Sequence, residues 1–216
     1  LLSFKCCKAT YRDVTMLLAD ACTIHSGYTA RGRLEATEFG GVLAIQLRDI
    51  SAEGVIHPER LTRVQLEDLA DRYFVRAGDV VFRSRGERNT ASVLDKRLRE
   101  RALAVLPLLV LRPKHDVVMP EYLAWAINQP PAQRHFDGAA RGTNIRMIPR
   151  SSLDDLELDI PDIETQEKIV AIDALAEQER ALALLVAETR RKMMSLILVE
   201  RANRLRPKTR QERTSK

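Results

Sequence analysis

Apolar residues follow two different patterns along this chain, and the pattern changes at Pro161. Before Pro161, short apolar runs alternate with turn-forming residues, which is typical of β-strands in a folded domain. Examples of the runs that we interpret as strands are Gly41 to Leu47, Asp79 to Phe82, Ala102 to Leu111 and Leu156 to Ile160.

Two short helices are predicted among these strands. Pro120 to Asn128 has proline in its first turn, where the missing N–H is not needed, and Ser151 to Asp155 has the polar start of a capped helix. Strands and helices do not alternate regularly, and no glycine-rich phosphate loop follows a strand. The pattern therefore predicts an α+β fold, a mixed α/β domain, and neither a Rossmann nor a P-loop fold.

A single long helix is predicted after Pro161. From Glu164 to Asn203 there is neither Gly nor Pro, and about 40 residues of helix are about 60 Å long. With Ile172 at heptad position a, an apolar a/d seam follows, interrupted by the polar residues Glu179 and Thr189. This seam predicts a coiled coil with a partner helix, although a helix folded back on its own domain is the alternative. The seam residues are Ile172, Leu175, Leu182, Val186, Met193 and Leu196.

The sequence thus divides into a domain over 1–160, a spacer and dimerisation helix over 161–203, and a tail over 204–216. Six basic residues and one acidic residue lie in the tail, which accounts for the whole net charge of +5 and leaves 29 basic and 29 acidic residues before it. The body is neutral, so a DNA-facing surface would need local clustering of charge. We interpret the tail as a disordered, solvated end, with phosphate contact as the alternative.

Several classes of protein are disfavoured. No run approaches the ~20 apolar residues of a membrane span. Charges occupy the N-terminal positions where a signal peptide has its apolar run, and upstream residues are expected because the chain lacks an initiator Met. We therefore expect a cytoplasmic protein. The odd set of cysteines without CxxC spacing, and the scattered histidines, predict neither disulfides nor a metal site.

Catalytic motifs are also missing. Asn128-Gln129-Pro130-Pro131 differs from the Asn-Pro-Pro-aromatic loop of adenine methyltransferases, and Gln166 replaces the acid that a nuclease would need near Asp162, Glu164 and Lys168. No nucleophile elbow is present either. We predict no catalytic residue, no metal and no cofactor.

Three polar segments, rich in Arg, Gly, Asn, Ser and Thr, remain as candidates for DNA binding. The first segment is 25–33, the second is 83–90 and the third is 141–146. Arg pairs with guanine and Asn with adenine, whereas Ser and Thr suit phosphates, although any polar surface loop has a similar composition. The candidates are Ser26, Tyr28, Arg31, Arg33, Arg83, Ser84, Arg85, Arg88, Asn89, Thr90, Arg141, Thr143, Asn144 and Arg146.

The order of five motifs resembles the DNA specificity subunit of type I restriction-modification systems. The last of them is similar to that family's Pro-x-x-x-x-Gln-x-x-Ile entry into a spacer helix. The five motifs are Ile24 to Gly27, Ala77 to Gly86, Pro120 to Leu123, Gly142 to Arg146 and Ile160 to Ile169.

The resemblance implies a half-length subunit, with one target-recognition domain and one spacer helix where the family has two of each. In the family each domain recognises one part of a split site and the helices set the spacing. The implied partners are double-stranded DNA, a second copy of this chain paired through the helix, the DNA adenine methyltransferase (modification) subunit and the restriction subunit. Two-fold protein symmetry predicts a palindromic split site.

Two other functions stay open at this point. The chain could be the recognition portion of a larger single-chain restriction-methylation enzyme, for which upstream methyltransferase motifs would decide. It could also be a coiled-coil scaffold that binds protein, which predicts no salt-dependent affinity for duplex DNA.

Overall fold

The structure, a computed structural model, describes residues 14–30, 32–51, 54–66, 69–86, 89–140 and 146–204. The chain forms two compact units, of which the first ends at Val170 and the second begins at Ala171. In the described residues the first unit is mixed α/β and the second is helical, which confirms the predicted fold class.

Among the described residues, the first unit contains ten strands, four helices and the start of a fifth, longer helix. The strands are β1 Val14–Leu17, β2 Cys22–Ser26, β3 Val42–Ile45, β4 Thr62–Val64, β5 Phe74–Val75, β6 Val80–Arg83, β7 Ala91–Val93, β8 Ala102–Ala104, β9 Leu108–Pro113 and β10 Glu157–Ile160. The helices are α1 Leu18–Ala21, α2 Pro120–Asn128, α3 Pro130–Ala139, α4 Arg150–Asp154 and α5 Ile163–Arg204.

The strands form two four-stranded sheets and a small two-stranded one. Sheet A has the order β2-β9-β6-β7 and is antiparallel throughout. Sheet B has the order β4-β3-β8-β5, in which β3 and β8 run parallel. The remaining sheet pairs β1 with β10.

Sheet A is buried on both faces, which explains why β6 and β9 are apolar at nearly every position. On one face Phe82 and Leu109 pack with helices α2, α3 and α4, and on the other face Val81 and Val110 pack against sheet B. Successive side chains of a strand point to opposite faces, so a strand between two apolar layers needs a continuous apolar run.

The free edge of β7 is covered by a side chain. Asn128, the last residue of α2, accepts a hydrogen bond from the Ala91 backbone N–H at 2.8 Å and donates one to the Ala91 carbonyl at 2.9 Å. The Asn128 amide therefore pairs with this strand edge as a neighbouring strand would.

The strands β1, β2, β4, β5 and β7 match none of the runs named from the sequence, and three further details differ from the expectations. The predicted strand Ala102 to Leu111 is two strands, because the chain turns at Leu106-Pro107 and proline has no N–H for a strand ladder. The helix α3, which has Pro130 in its first turn, was not predicted. The cap predicted at Ser151 is wrong, because α4 begins after Pro149 without a side-chain cap.

The long helix is confirmed as a single element, α5, of 42 residues. Asp162 precedes it and its Oδ1 accepts the Thr165 N–H at 2.9 Å, as an N-cap residue does. Every residue from 171 to 204 is exposed. Within the described ranges, no helix combines the length and the apolar content that crossing a membrane requires.

Candidate nucleic-acid interface

The first and second candidate segments begin at the same end of sheet A. Ser26 ends β2 opposite Leu109, and Arg83 ends β6 opposite Leu108. Because both strands are antiparallel to β9, these two strand ends flank the first residues of β9. Sheet A therefore brings together two segments that are more than fifty residues apart in the sequence.

The turn between β8 and β9 joins these segments. The Tyr28 N–H donates to the Ala104 carbonyl at 2.7 Å, and the Leu106 N–H donates to the Tyr28 carbonyl at 3.0 Å. On the other side of the turn, the Ser84 Oγ donates to the Pro107 carbonyl at 2.6 Å. No side chain fits at Gly27, where a Cβ would lie 2.8 Å from the Leu108 carbonyl oxygen.

The described end of the third segment lies beside the second. The Gly86 N–H donates to the Arg146 carbonyl at 3.1 Å, and the Ile148 N–H donates to the Ser84 carbonyl at 2.7 Å. Arg85 and Met147 form an isolated β-bridge between these bonds. The described parts of the three segments thus meet at one end of sheet A. Arg31, Arg88, Arg141, Thr143 and Asn144 lie outside the described residues.

The candidate side chains differ in how far they reach solvent. Ser26, Arg33 and Arg85 are exposed. Tyr28 and Arg146 are half-buried, and Arg146 forms an exposed ion pair with Asp137. Exposed arginines beside a closely packed loop junction are suited to binding an anionic polymer.

Two candidate side chains hold the second segment in place. Ser84 is 2% exposed and is bonded to Pro107. Asn89 is 3% exposed, and its Nδ2 donates to the Arg83 carbonyl at 2.9 Å. In this structure both side chains fix the loop backbone, and neither reaches the surface.

Polar atoms without a partner gather on one face of the β6–β7 hairpin. Among the described residues, the buried Arg83 Nε, Thr90 Oγ1 and Ser92 Oγ have no hydrogen-bond partner. Arg83 is hydrogen-bonded through its backbone to Thr90, and Ser92 pairs with Val81, so the three side chains share a face. A buried unpaired polar atom costs about 1 to 3 kcal/mol, so three of them on one face are unusual in a folded domain. Sequence reasoning missed Ser92, which resembles any strand residue.

An aromatic contact extends the interface beyond the three segments. The rings of Tyr28 and Tyr73 meet edge to face with centroids 5.5 Å apart. The Arg72 guanidinium lies 4.7 Å from the Tyr73 ring centroid and donates to the Tyr73 hydroxyl at 2.9 Å. Asp71-Arg72-Tyr73 contains no glycine and joins the site only through the fold, so no sequence signal identified it.

Titratable groups on β2 are shifted by this environment. Burial lowers the pKa of His25, and the guanidinium groups of Arg112 and Arg150 lower it further. Burial raises the pKa of the Cys22 thiol to about 12. Cys22 is therefore a protonated thiol at neutral pH, and it donates to the Leu18 carbonyl.

The residues that resembled catalytic motifs have structural partners. Asp162 caps α5, and Glu164 forms an i,i+4 ion pair with Lys168 at 2.6 Å. Asn128 is bonded to the edge of β7. Among the described residues, no group of three His, Cys, Asp or Glu side chains is placed to hold a metal ion.

The fold is that of type I restriction-modification S subunits. One similar chain comes from a structure that describes complex assembly and conformational transition of the type I R-M system. It is 19% identical in sequence, the TM-score is 0.62, and the match covers 85% of this chain and 43% of that chain. The HsdS subunit from Thermoanaerobacter tengcongensis matches at 20% identity and TM-score 0.56, over 78% of this chain and 38% of that one. The type I S subunit from M. genitalium matches at 15% identity and TM-score 0.53, over 82% of this chain and 42% of that one.

These matches confirm the resemblance that the sequence motifs indicated, at the level of the fold. The chain spans about two fifths of the length of these three solved chains, from 38% to 43%. No family model matches the sequence, and no curated protein matches it.

Proposed function

We propose that this chain is a sequence-specific DNA-binding subunit of a type I restriction-modification system, with methylation and cleavage supplied by other subunits. The observation that carries the proposal is the meeting of three separately encoded, arginine-bearing segments at one end of sheet A, on the fold of S subunits. In this proposal they recognise one half of a split site.

The exposed side chains are the proposed readers of the DNA. Arg85 is proposed to contact a base edge, since arginine pairs bidentately with guanine in the major groove. Ser26, Arg33 and Arg146 are proposed to contact phosphates and sugars, which position the domain without specifying sequence. The candidates that lie outside the described residues, among them Asn144 as a reader of adenine, remain part of this proposal.

The apolar seam on α5 supports pairing with a second copy of the chain. The six predicted seam residues, from Ile172 to Leu196, are between 48% and 71% exposed. Apolar side chains repeated at a and d are stable in water only when another helix covers them. The Thr189 hydroxyl donates to the Leu185 carbonyl at 2.8 Å, so this polar interruption is satisfied within its own helix.

The paired helices would set the distance between two recognition domains. A helix of 42 residues is about 63 Å long at about 1.5 Å per residue. Half-sites one duplex turn apart are separated by about 34 to 36 Å, so α5 spans nearly two turns. Two copies paired in antiparallel fashion would present identical domains to a palindromic split site.

The C-terminal half of α5 also offers a surface for the modification subunit. Leu185, Ile197 and Val199 lie at heptad positions e and g, next to the a/d seam, and are between 44% and 59% exposed. A two-helix coiled coil needs apolar residues at a and d alone, whereas apolar flanking positions are typical of bundles with more helices. We propose that this broader surface binds helices of the methyltransferase subunit, with the restriction subunit joining the same cytoplasmic complex.

The test of DNA binding is the salt dependence of affinity, measured by fluorescence anisotropy with labelled duplexes. The logarithm of the binding constant should fall linearly with the logarithm of salt concentration, by about 0.9 for each phosphate neutralised. A flat response would contradict the proposal and favour the protein-binding scaffold.

The test of pairing is sedimentation of Leu182→Glu beside the parent chain. A buried, unpaired charge in the seam should convert a dimer into a monomer. Ala181→Glu, on a neighbouring position outside the seam, is the matched control and should stay dimeric. A parent chain that is already monomeric would contradict the pairing model.

A further inference from the structure

We propose that DNA backbone phosphates bind a second surface, separate from the three candidate segments and formed by the side chains of Arg72, Arg76, Arg101 and Arg112. This set is called the arginine strip below. The inference rests on the proposed function, since it identifies the surface that binds the backbone of the same duplex outside the bases that are recognised.

A cavity of about 200 Å³ lies within the arginine strip. It is lined by Asp71, Phe74, Val75, Arg76, Arg101 and Arg112. Three of these six residues carry a guanidinium group and one carries an exposed carboxylate. Guanidinium groups that converge on a concave surface suit a phosphate, whose oxygens accept two parallel N–H bonds.

Two of the four arginines, Arg101 and Arg112, are held in position by the fold. The Arg112 Nε donates to Asp79 Oδ1 at 3.0 Å, and its Nη2 donates to the Phe74 carbonyl at 3.0 Å. The Arg101 guanidinium lies over the Phe74 ring, 4.1 Å from the centroid. Groups that are already ordered lose less conformational entropy when a ligand binds.

The charge balance of the strip is positive. Asp79, which is 2% exposed, is compensated by Arg112, so this pair is approximately neutral. Asp71 pairs with Arg101 at 3.0 Å, with both side chains largely exposed, and exposed pairs contribute little stability and exchange readily for another anion. Among the described residues, Arg72 and Arg76 have no carboxylate within ion-pair distance.

The position of the strip relative to the three segments fits a duplex. Arg72 lies on the Tyr73 ring, which contacts Tyr28 in the first segment. At the other end, Arg112 lies opposite Thr23, three residues before Ser26 on β2. Three residues of strand span about 10 Å, or about three phosphates of one DNA strand at about 3.4 Å each along the axis. The strip therefore lies where the backbone next to the recognised bases would pass.

The experiment compares the salt dependence of duplex binding for the parent and for Arg76→Gln/Arg101→Gln. The matched control is Arg97→Gln/Arg180→Gln, which also removes two exposed arginines, paired here with Asp95 and Glu177. Loss of two phosphate contacts in each copy should reduce the slope of log binding constant against log salt by about 1.8 for each copy of the chain bound. The control should change it by less than about 0.5, and the sequence selected from random duplexes should be the same for all three proteins.

Several outcomes would overturn the inference. A slope that changes equally in the strip variant and the control would mean that the strip does not touch phosphates, whereas a changed selected sequence would make it a base reader. If calorimetry with inorganic phosphate showed binding that the strip variant loses while its duplex slope stayed at the parent value, the cavity would be a site for free phosphate. Arg76→Gln alone, which breaks no side-chain hydrogen bond among the described residues, guards against misfolding and should reduce the slope by about 0.9 for each copy of the chain bound. A parent chain without salt-dependent binding would instead refute the proposed function itself.

Discussion

Gln166 is fully buried at the start of α5, and its side chain makes three hydrogen bonds to backbone groups. Its Oε1 accepts the Met119 N–H at 2.8 Å, and its Nε2 donates to the Val117 carbonyl at 3.0 Å and to the Pro161 carbonyl at 2.7 Å. The bonds to Met119 and Val117 join the first turn of the helix to the loop before α2, and the bond to Pro161 fixes the residue that precedes the helix. We therefore predict that this side chain is critical to the stability of the first unit.

The perturbation is Gln166→Met, which keeps the length of the side chain and removes its polar atoms. Each of the three backbone groups then loses this partner, at about 1 to 3 kcal/mol for a buried group. Burial of the more apolar methionine offsets part of the loss, so we expect the free energy of unfolding to fall by about 3 to 5 kcal/mol. That is a large share of the roughly 5 to 15 kcal/mol that holds a typical domain.

The assay is urea unfolding followed by the fluorescence of Trp125, the single tryptophan, which packs against the same core on α2. The matched control is Gln178→Met, at an exposed position of the same helix, where we expect a change within about 0.5 kcal/mol. A loss below about 1 kcal/mol for Gln166→Met would show that these three hydrogen bonds do not stabilise the first unit.

The variant Gln166→Glu tests how the free energy of unfolding changes with pH, and the direction of that change can be predicted. A carboxylate there would face the Val117 and Pro161 carbonyl oxygens, so burial and repulsion should raise its folded pKa above the unfolded value of about 4.3. The folded state then binds more protons than the unfolded state between these two pKa values. Relative to the parent, the variant should gain stability as the pH falls through its folded pKa, and lose it again as the pH rises.

Three further predictions concern sheet A and its loops. Ser92→Ala removes a buried hydroxyl without a partner, so the free energy of unfolding in urea should stay constant or rise by up to about 1 kcal/mol. A loss above about 1 kcal/mol would show that this hydroxyl makes a hydrogen bond. Asn128→Ala leaves the Ala91 N–H and carbonyl unpaired, so the free energy of unfolding should fall by about 2 to 3 kcal/mol in the same measurement. An unchanged midpoint of urea unfolding would contradict the role of Asn128 at this strand edge. Arg85→Ala should change the sequence selected from random duplexes, whereas Arg210→Ala in the tail should weaken all sequences alike or have no effect; an identical motif for parent and Arg85→Ala would refute its assignment as a base reader.

The fold class could be predicted from the sequence because its strongest signals are local. The stretch from Glu164 to Asn203 has helical composition over its whole length, and α2 has proline where a helix tolerates it. The division of 102–111 into two strands was harder, since both strands are apolar and only Pro107 marks the turn. The helix α3 was missed because its two initial prolines resemble a loop until the chain after them is considered.

The motifs that indicated the family are largely structural in this fold. Gly27 lies against backbone where no side chain fits, Asp79 bonds Arg112, and Gln166 fixes the start of α5. Such contacts preserve the scaffold rather than select a DNA sequence. A resemblance carried by these residues therefore predicts the fold better than it predicts the recognised bases.

The candidate site could be predicted only in part, because burial depends on distant residues. Composition does not distinguish the exposed Arg85 from the buried Ser84 beside it, whose hydroxyl bonds a carbonyl in the β8–β9 turn. The arginine strip could not be predicted for the same reason. Its members Arg76, Arg101 and Arg112 lie on different strands or beside them, and they meet only in the folded chain.

Sequence-specific binding by this chain is tested most directly by selecting bound duplexes from a random pool, with the purified modification subunit present. We expect an enriched motif made of two identical, inverted halves separated by a spacer of fixed length. A pool that shows no enriched motif after selection would contradict sequence-specific binding, and a motif without two-fold symmetry would contradict the pairing of two copies.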